Sequence, residues 1–590
     1  MEKNNENIIE INKEPKVDIS EFIGEEVEHE LSGLIIISEG ELYDAAFTAY
    51  KKAREKSDIS GVDNSTLGQH LLGILNLIIT LNNSHLERGD KFRSRKKLPV
   101  PLVSRLVHDT YTIKNVSLLS SKFSTKATKS GCVLSYYCDE RFKNPKDYGL
   151  YIQGEDKIRS IIYSFDSSYD SKDVDTILST IRDTAPIVLQ DQNPNLLPLK
   201  DYILNTETLK KIKYNENLIF TTKIPVNYNP NAEDVEFELL NGDVLTVDKF
   251  FKQYANGDKE TEEALWKVAS AVIGFNKDIE KCVVFYSQSG NNGKGTFCEL
   301  LRSLVGHENT CSIPIDQWSG RFTKSVLIGA KAVIVDENNV GKYIEETADF
   351  KAAVTHDMLT IDIKNKDPIQ YAFDGVMVQC VNKILKFKDD TESHYRRFAL
   401  IEFKANYRGI QDKSVKEVFV KDERVLEYVL KRIVELGKFD DIQTPSKSMY
   451  VMEDTKNTNN PVRDFWKELK DQLAWDILPY DFAFQLFEGW NDKDGGGRKY
   501  RKRNFLNDLK AVIDEENISG DDTSWTYTIE DEKIRTSDRL EKPEPLILKY
   551  NLNDWKNQNY KGYDEDRIAT PSKVSSQYRC FYRKRIKEED

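Results

Sequence analysis

An apolar run from Val283 to Tyr286 leads directly into a loop of small and amide residues that ends in Gly293-Lys294-Gly295-Thr296. Apolar residues at helical spacing follow at once, from Phe297 to Leu304. A strand, a glycine-rich loop, a lysine and a helix in this order bring backbone N–H groups and a helix N-terminus to one point, where they bind phosphate. The segment therefore predicts a nucleotide-binding loop formed by Ser289, Gly290, Asn291, Asn292, Gly293, Lys294, Gly295 and Thr296.

Two positions of this loop depart from the general phosphate-loop pattern. Gln288 stands where the first glycine is expected, and Gly295 stands where a serine or threonine normally ligates magnesium. Thr296 is the nearest hydroxyl, so we predict that it is the magnesium ligand of the loop. The departures leave a second interpretation open, in which the segment is a solvated turn.

A second apolar strand, Ala332 to Val335, ends in two acids, Asp336 and Glu337. In phosphate-loop ATPases the first acid at such a strand end holds magnesium, and the second polarises the attacking water. We therefore predict that Asp336 ligates magnesium together with Thr296, and that Glu337 is the catalytic acid/base. A buried strand with acids in the turn that follows it is the alternative interpretation.

A third apolar strand, from Val376, ends at Asn382, and a pair of arginines, Arg396 and Arg397, follows it. An amide at such a strand end can hydrogen-bond the γ-phosphate or the attacking water. An arginine is always charged and presents a planar fork of donors, which suits it to reach a neighbouring subunit's nucleotide. A surface ion pair is the alternative interpretation for the two arginines.

The motifs GNNGKGT, VIVDENN, VQCVNK and HYRRFALIEF, in this order, resemble those of the superfamily 3 helicases. The resemblance is closest to the poxvirus and phage primase–helicase branch, and within it to the replication helicases of staphylococcal mobile islands. It is strong from about residue 190 to about residue 405. It implies a P-loop AAA+ core that assembles into a ring, usually a hexamer, uses ATP and Mg²⁺, and translocates on DNA.

The resemblance also implies a β-hairpin that projects into the pore, and the segment Leu359 to Pro368 lies at the corresponding position. Alternating apolar residues at its start predict a strand with one apolar face. Lys364 and Lys366 would form the tip and grip phosphates of one DNA strand. An ordinary charged turn is the alternative interpretation.

Beyond the motifs, the chain is a multidomain α/β protein of 590 residues, with 39% hydrophobic residues and a formal net charge of -13. The seven cysteines show no zinc-ligand spacing, and no apolar run reaches the length of a membrane span, so we expect a cytoplasmic protein. The resemblance implies that the host is bacterial. The predicted regions are an acidic disordered tail (1–35), an N-terminal α/β domain (36–185), a linker and helical collar (186–275), the AAA+ superfamily 3 helicase domain (276–440) and a winged-helix-like DNA-binding domain (441–590).

The N-terminal region offers two further candidates. The basic loop Lys91–Lys97 fits either a DNA contact or a solvated loop, and Ile158–Phe165 is interpreted as a strand. Asp173 and Asp175 have the acid-x-acid spacing of archaeal-type primases, but no histidine follows them before His307. We therefore predict no primase activity.

Toward the C-terminus, a polar segment from Ser446 to Asn460 is predicted to be a linker. Helical patterns and then strand patterns follow it, an order typical of a winged helix, with which the family often ends. Basic residues precede and begin the third helix, as in helices that read DNA, although a charged loop capping a helix is the alternative. The predicted DNA contacts there are Arg498, Lys499, Arg501, Lys502 and Arg503.

Together these patterns predict an ATP-dependent replicative DNA helicase of a mobile genetic element or phage. Single-stranded DNA would occupy the pore of the ring, and duplex DNA would be bound at the replication origin. Two alternatives stay open: an origin-binding initiator that uses ATP only to assemble, and a bifunctional primase–helicase.

Overall fold

A computed structural model of the chain describes residues 35–56, 61–118, 131–191, 193–276, 278–338, 348–364, 368–383, 395–409, 411–493, 500–518, 525–529, 532–536 and 539–584. The predicted acidic tail therefore lies almost wholly outside the described residues. Within the described ranges, no helix has the length and apolar content needed to cross a membrane.

The N-terminal region is a four-stranded sheet covered by helices. Its strands lie in the order β3-β2-β1-β4, with β1 parallel to β4 and antiparallel to β2. The helices are α1 (Glu39–Lys56), α2 (Asn64–Asn83), α3 (Val100–Thr110), α4 (Glu155–Phe165) and α5 (Ser171–Thr184). The strands are β1 (Ile113–Ser117), β2 (Cys132–Tyr137), β3 (Tyr151–Gln153) and β4 (Ile187–Val188).

The interpretation of Ile158–Phe165 as a strand is wrong, because the segment belongs to α4. Ile158, Ile161, Ile162 and Phe165 are buried, a spacing of three and four residues that matches one face of a helix. The apolar residues face the core formed with α2 and α5, so burial on one helical face decided the conformation.

Both acids of the acid-x-acid pair lie on α5, and each faces a cation. Asp173 forms an ion pair with Lys97, and Asp175 forms one with Arg159. Arg95, in the same basic loop as Lys97, pairs with Glu39. The loop therefore uses two of its basic residues to bind neighbouring helices of its own domain.

The segment between the N-terminal region and the large sheet forms small antiparallel sheets and two helices. Two sheets, β5-β6-β7 and β8-β9, precede the helices. The elements are β5 (Leu196–Pro198), β6 (Ile203–Asn205), β7 (Lys211–Ile212), β8 (Phe237–Glu238), β9 (Val244–Leu245), α6 (Val247–Tyr254) and α7 (Lys259–Val272). The two helices lie in the range predicted to contain a helical collar, and they share a core with the helix that begins at Lys294.

Lys223 ties three parts of the chain together. Its Nζ donates hydrogen bonds to the carbonyls of Pro145 (3.1 Å), Tyr148 (2.8 Å) and Lys200 (2.8 Å), and the side chain is 7% exposed. Its own carbonyl accepts a bond of 2.9 Å from Asn309, next to the large sheet. Burial lowers the pKa of this lysine.

The centre of the molecule is a parallel five-stranded sheet with the order β11-β12-β15-β10-β16. Its strands are β10 (Cys282–Tyr286), β11 (Thr310–Cys311), β12 (Ala332–Val335), β15 (Val376–Val381) and β16 (Phe398–Glu402). The associated helices are α8 (Lys294–Val305), α9 (Ala348–Val354), α10 (Lys413–Glu417) and α11 (Glu423–Leu436). Because β15 lies between β10 and β12, the segments that follow these three strands meet at one edge of the sheet.

An antiparallel hairpin is present at the predicted position, while its place in a pore stays a prediction. Strands β13 (Met358–Ile361) and β14 (Ile369–Ala372) pair antiparallel, with Leu359 opposite Tyr371. Leu359 and Ile361 are buried, which gives β13 the apolar face predicted from the alternation. Lys364 lies in the connection between the strands, and Lys366 lies outside the described residues.

The C-terminal region contains a three-stranded antiparallel sheet, β17-β21-β18, and helices around an aromatic core. Along the chain, a helix is followed by a strand, two helices and a second strand. A long segment then leads to the last strand, β21, which lies between the other two in the sheet. The helices are α12 (Met449–Asn459), α13 (Pro461–Leu469), α14 (Tyr480–Lys493), α15 (Lys502–Ile518), α16 (Leu546–Lys549) and α17 (Glu565–Ile568). The strands are β17 (Ile477–Pro479), β18 (Trp525–Tyr527), β19 (Ile534–Arg535), β20 (Gln577–Tyr578) and β21 (Cys580–Arg583).

The predicted linker from Ser446 to Asn460 is wrong in its conformation, because most of it is helix α12. Val451 and Thr455, one turn apart, are both buried, and Val451 packs in the core on one side of the large sheet. This short apolar face was too small to stand out in a polar segment.

Candidate functional site

The predicted phosphate loop, residues 289–296, is shaped by residues in the left-handed conformation. Gly293 has φ 87° and Asn291 has φ 59°. A Cβ at Gly293 would lie 2.3 Å from Cε1 of Tyr254, the last residue of α6. Glycine is therefore required at this position both by the backbone and by the close approach of the tyrosine.

Hydrogen bonds within the loop, and one from a later segment of the chain, fix its conformation. Asn292 accepts a bond of 3.2 Å from the backbone N–H of Lys294, and its amide nitrogen donates to the carbonyl of Ser289. The N–H of Tyr407, beyond β16, donates to the carbonyl of Asn291 at 2.9 Å. Asn291 and Asn292, predicted only as part of the phosphate cradle, thus also determine its shape.

Lys294 begins α8 and is 6% exposed. Its Nζ donates a hydrogen bond of 2.8 Å to Oδ1 of Asn382, which directly follows β15. Burial lowers the pKa of Lys294, while the charge of Glu337 is among the influences that oppose this change. The structure therefore brings together three residues predicted separately, each from the end of a different strand.

Asp336 is held by a residue that the sequence did not indicate. Arg302, two turns along α8 from the loop, contacts both oxygens of Asp336, at 3.1 and 3.0 Å. A second nitrogen of the guanidinium donates to the carbonyl of Ile334 at 3.2 Å. Asp336 and Glu337 both remain exposed at the strand end.

Thr296 and Asp336 were predicted to share a metal ion. Thr296 interacts with the hydroxyl of Tyr254, whose pKa is raised mainly by burial. Two exposed carboxylates beside the phosphate loop supply the hard oxygen ligands that Mg²⁺ prefers, so the residues present fit the ion. The arginine bound to Asp336 neutralises part of the negative charge there.

A buried amide network orients the segment that follows the two acids. Nδ2 of Asn338 donates to Oε1 of Gln379 (3.0 Å) and to the carbonyl of Cys380 (3.1 Å). Oδ1 of Asn338 accepts from the N–H of Ile315 at 2.9 Å, and Gln379 donates to the carbonyl of Ile313 at 3.1 Å. A glutamine inside an otherwise apolar strand was the available sequence signal for this network.

Arg396 and Arg397 lie at the N-terminal ends of the sheet's strands, whereas the predicted phosphate loop lies at their C-terminal ends. They immediately precede β16, and the carbonyl of Arg397 accepts a hydrogen bond of 2.8 Å from the N–H of Cys282, the first residue of β10. The phosphate loop follows the other end of β10, about 13 Å away at the rise of a parallel strand. Neither arginine is therefore part of the loop's surroundings within one copy of the chain.

The predicted DNA contacts are spread over two regions. Arg501 and Arg503, at the start of α15, are exposed, whereas Lys502 forms an ion pair with Asp481 of α14. Arg498 and Lys499 lie outside the described residues, as does Lys366 of the hairpin. Near the hairpin, Arg321 lies 3.4 Å from Asp362 and was not among the predicted contacts.

Two family models match parts of the chain. Residues 285–397 match a family of unknown function, DUF5906, and this range contains every predicted ATPase residue named above. Residues 457–544 match the family described as Poxvirus D5 protein-like. The second match supports the poxvirus-related branch inferred from the motifs, whereas the nearer relation to staphylococcal island helicases stays a prediction.

No curated protein sequence matches the chain significantly. Among solved structures, the A form apo structure of the NrS-1 C-terminal region (305–718) is similar at 14% identity and TM-score 0.41, covering 82% of this chain and 99% of that one. Another apo structure of this NrS-1 region has 11% identity and TM-score 0.40, covering 72% and 91%. Values this low do not bear on function.

Proposed function

We propose that the chain is an ATP-dependent DNA helicase of the superfamily 3 type, with a P-loop AAA+ core, that acts in the replication of a mobile genetic element or phage. The observation that carries this proposal is the meeting of Lys294, Asn382 and the acids Asp336 and Glu337 at one edge of a parallel sheet. The Poxvirus D5 protein-like match in the C-terminal region adds support from a separate part of the chain.

In this proposal Lys294 and the N–H groups of the loop bind the phosphates of ATP. Mg²⁺, held by Asp336 with Thr296 as the predicted hydroxyl ligand, would neutralise charge on the phosphates. Glu337 accepts a proton from the attacking water, and Asn382 binds the γ-phosphate after Lys294 exchanges its amide partner for phosphate oxygen. Stabilisation of the charge that develops on the leaving group requires a further cation.

That cation is Arg396 or Arg397 of a neighbouring copy. Both arginines lie at the end of their own sheet that is opposite the phosphate loop, so they are available to another subunit's nucleotide. A ring, predicted to be a hexamer, satisfies this requirement at every interface. The hairpin with Lys364 then grips one strand in the pore, and Arg501 and Arg503 contact duplex DNA from a winged helix, with which the strand order β17-β21-β18 agrees.

The test is Glu337→Gln in a strand-displacement assay with ATP and forked DNA. We expect the variant to bind ATP normally and to lose hydrolysis and unwinding by about 100-fold or more, because general-base catalysis contributes roughly that factor. Glu308→Gln, a change at a residue outside the site, is the matched control. Wild-type ATP hydrolysis by Glu337→Gln would exclude the assigned role.

A second function, an initiator that uses ATP only to assemble at the origin, is favoured by Gly295, which removes the usual hydroxyl of the phosphate loop. The same assay separates the two functions. An initiator would form an ATP-dependent complex on origin DNA without displacing a strand, whereas the helicase displaces it with no other protein present.

A further inference from the structure

A second lysine approaches the phosphate loop from a distant part of the chain. Nζ of Lys416, on α10, lies 3.7 Å from the point that a Cβ on Gly295 would occupy. In other phosphate loops the side chain at this position carries the hydroxyl that ligates magnesium. The space beside the glycine is thus approached by an ammonium group.

The helix that carries Lys416 is firmly anchored. Asp412 accepts hydrogen bonds from the N–H groups of Ser414 (2.9 Å) and Leu240 (2.8 Å), which fix the start of α10. Phe419 and Val420 are buried just beyond its end, and Lys421 pairs with Glu299 of α8 at 3.0 Å. The backbone of Lys416 is therefore held against α8, while its side chain is exposed.

Two carboxylates that contact or belong to α8 are already bound to other cations. Asp336 is bound by Arg302, and Glu299 is bound by Lys421. Among the described residues, no carboxylate forms an ion pair with Lys416. An ammonium held beside a phosphate loop without a protein counter-ion is suited to bind an anion.

We propose that Lys416 is a second phosphate-binding lysine, which contacts the β- or γ-phosphate of the bound nucleotide and compensates for the hydroxyl missing at Gly295. This inference rests on the proposed function, since it requires a nucleotide in the loop. Helix α10, which follows the large sheet, would then take a direct part in nucleotide binding. The contribution of Lys416 would not depend on a metal ion.

The experiment measures the affinity of a fluorescent ATP analogue in Mg²⁺ and, separately, in EDTA. Lys416→Ala should weaken binding about tenfold in both solutions, because one charge-assisted hydrogen bond is lost. Lys413→Ala, an exposed lysine on the same short helix, is the matched control and should bind like the wild type. Lys416→Arg should restore most of the affinity. Equal affinities for Lys416→Ala and Lys413→Ala overturn the proposal.

A second variant tests the link to the missing hydroxyl. A Cβ at Gly295 would have only an ordinary contact with Lys416, so Gly295→Ser fits the loop. In the Lys416→Ala background, the serine should recover affinity in Mg²⁺ and not in EDTA, because its hydroxyl acts through the ion. Equal recovery in both solutions would contradict the proposed compensation.

Lys294→Ala separates this inference from the proposed function. If that variant binds the analogue like the wild type, the nucleotide site itself is wrong. If it loses binding while Lys416→Ala behaves like Lys413→Ala, only the role of Lys416 is rejected.

Discussion

Two of the buried lysines, Lys294 in the predicted phosphate loop and Lys223 at the junction of three segments, use their hydrogen bonds differently. Lys223 donates to three backbone carbonyls, whereas Lys294 donates to one side-chain amide oxygen, that of Asn382. Burial lowers the pKa of both. Since an ammonium has three donors, Lys223 is saturated by the protein and Lys294 is not.

Under the proposed function, this difference separates a structural charge, Lys223, from a charge prepared for a ligand, Lys294. A buried ammonium with unused donors carries a desolvation cost that a bound anion can offset, while a saturated one has nothing further to gain from a ligand. Burial and a shifted pKa are common to both lysines, so neither property alone identifies the site. The number of acceptors around the nitrogen is what distinguishes Lys294 from Lys223.

The largest expected effect is that of Lys294→Met on ATP hydrolysis. We expect the rate to fall by about 100-fold or more, in line with the loss of one preorganised charge that stabilises a transition state. The melting temperature should stay the same or rise, because the substitution removes a buried cation without leaving a carboxylate unpaired. Steady-state ATPase assays and calorimetry check both parts. A large fall in melting temperature would break the contrast with Lys223.

The same substitution at Lys223 should destabilise the protein and leave ATP binding unchanged. Lys223→Met leaves three buried carbonyls without their donor, and we expect it to lower the free energy of unfolding by about 3 kcal/mol. The affinity of the folded protein for ATP should not change. Lys213→Met, at an exposed lysine in the same region, is the control for denaturant unfolding. A Lys223→Met protein as stable as this control would mean that the three bonds contribute little.

A smaller effect on the free energy of unfolding is expected for Glu544, a buried acid, which extends the comparison beyond the lysines. Glu544 is fully buried in the C-terminal region and accepts bonds from the N–H groups of Ala474 (2.8 Å), Trp475 (3.0 Å) and Leu546 (3.3 Å). Glu544→Gln replaces one of the accepting oxygens by a donor, so we expect a loss of about 1–3 kcal/mol of unfolding free energy.

The pH dependence of that loss has a defined sign. Burial raises the pKa of Glu544 above its usual 4.5, so the folded protein binds more protons than the unfolded one above that pH. The wild type therefore loses stability relative to Glu544→Gln as pH rises through the folded pKa. Denaturant unfolding at pH 5 and pH 7 measures the two differences, with the exposed Glu541→Gln as control. A difference that grows toward pH 7 would reverse the assigned sign.

Much of the site could be predicted from sequence because each part is local. The strand, glycine-rich loop and lysine around Lys294 are adjacent in the chain, and so are the strand and acids that end at Glu337. Parallel strands bring such ends together without further information. The hairpin of β13 and β14 was expected from the family resemblance, and the alternation of apolar residues predicted the buried face of its first strand.

The partners that complete the site were not predictable, because they come from residues whose types are common on any surface. Arg302 lies on an ordinary helical face, Lys416 on a short helix far along the chain, and Tyr254 at the end of α6. Their roles arise only from the packing of segments that are distant in sequence. The strand predicted at Ile158–Phe165 failed for a related reason, since short apolar runs fit either periodicity until burial selects one.

The three carbonyls around Lys223 have a practical consequence for dividing the chain into fragments. A fragment that begins after Tyr148 keeps the lysine but loses two of its three acceptors, and thus exposes a charge where the full chain buries one. A fragment that ends before residue 200 keeps two acceptors without the donor. Pieces intended to fold alone should therefore retain residues 145–223 as a unit, even though the sequence divides most naturally near residue 185.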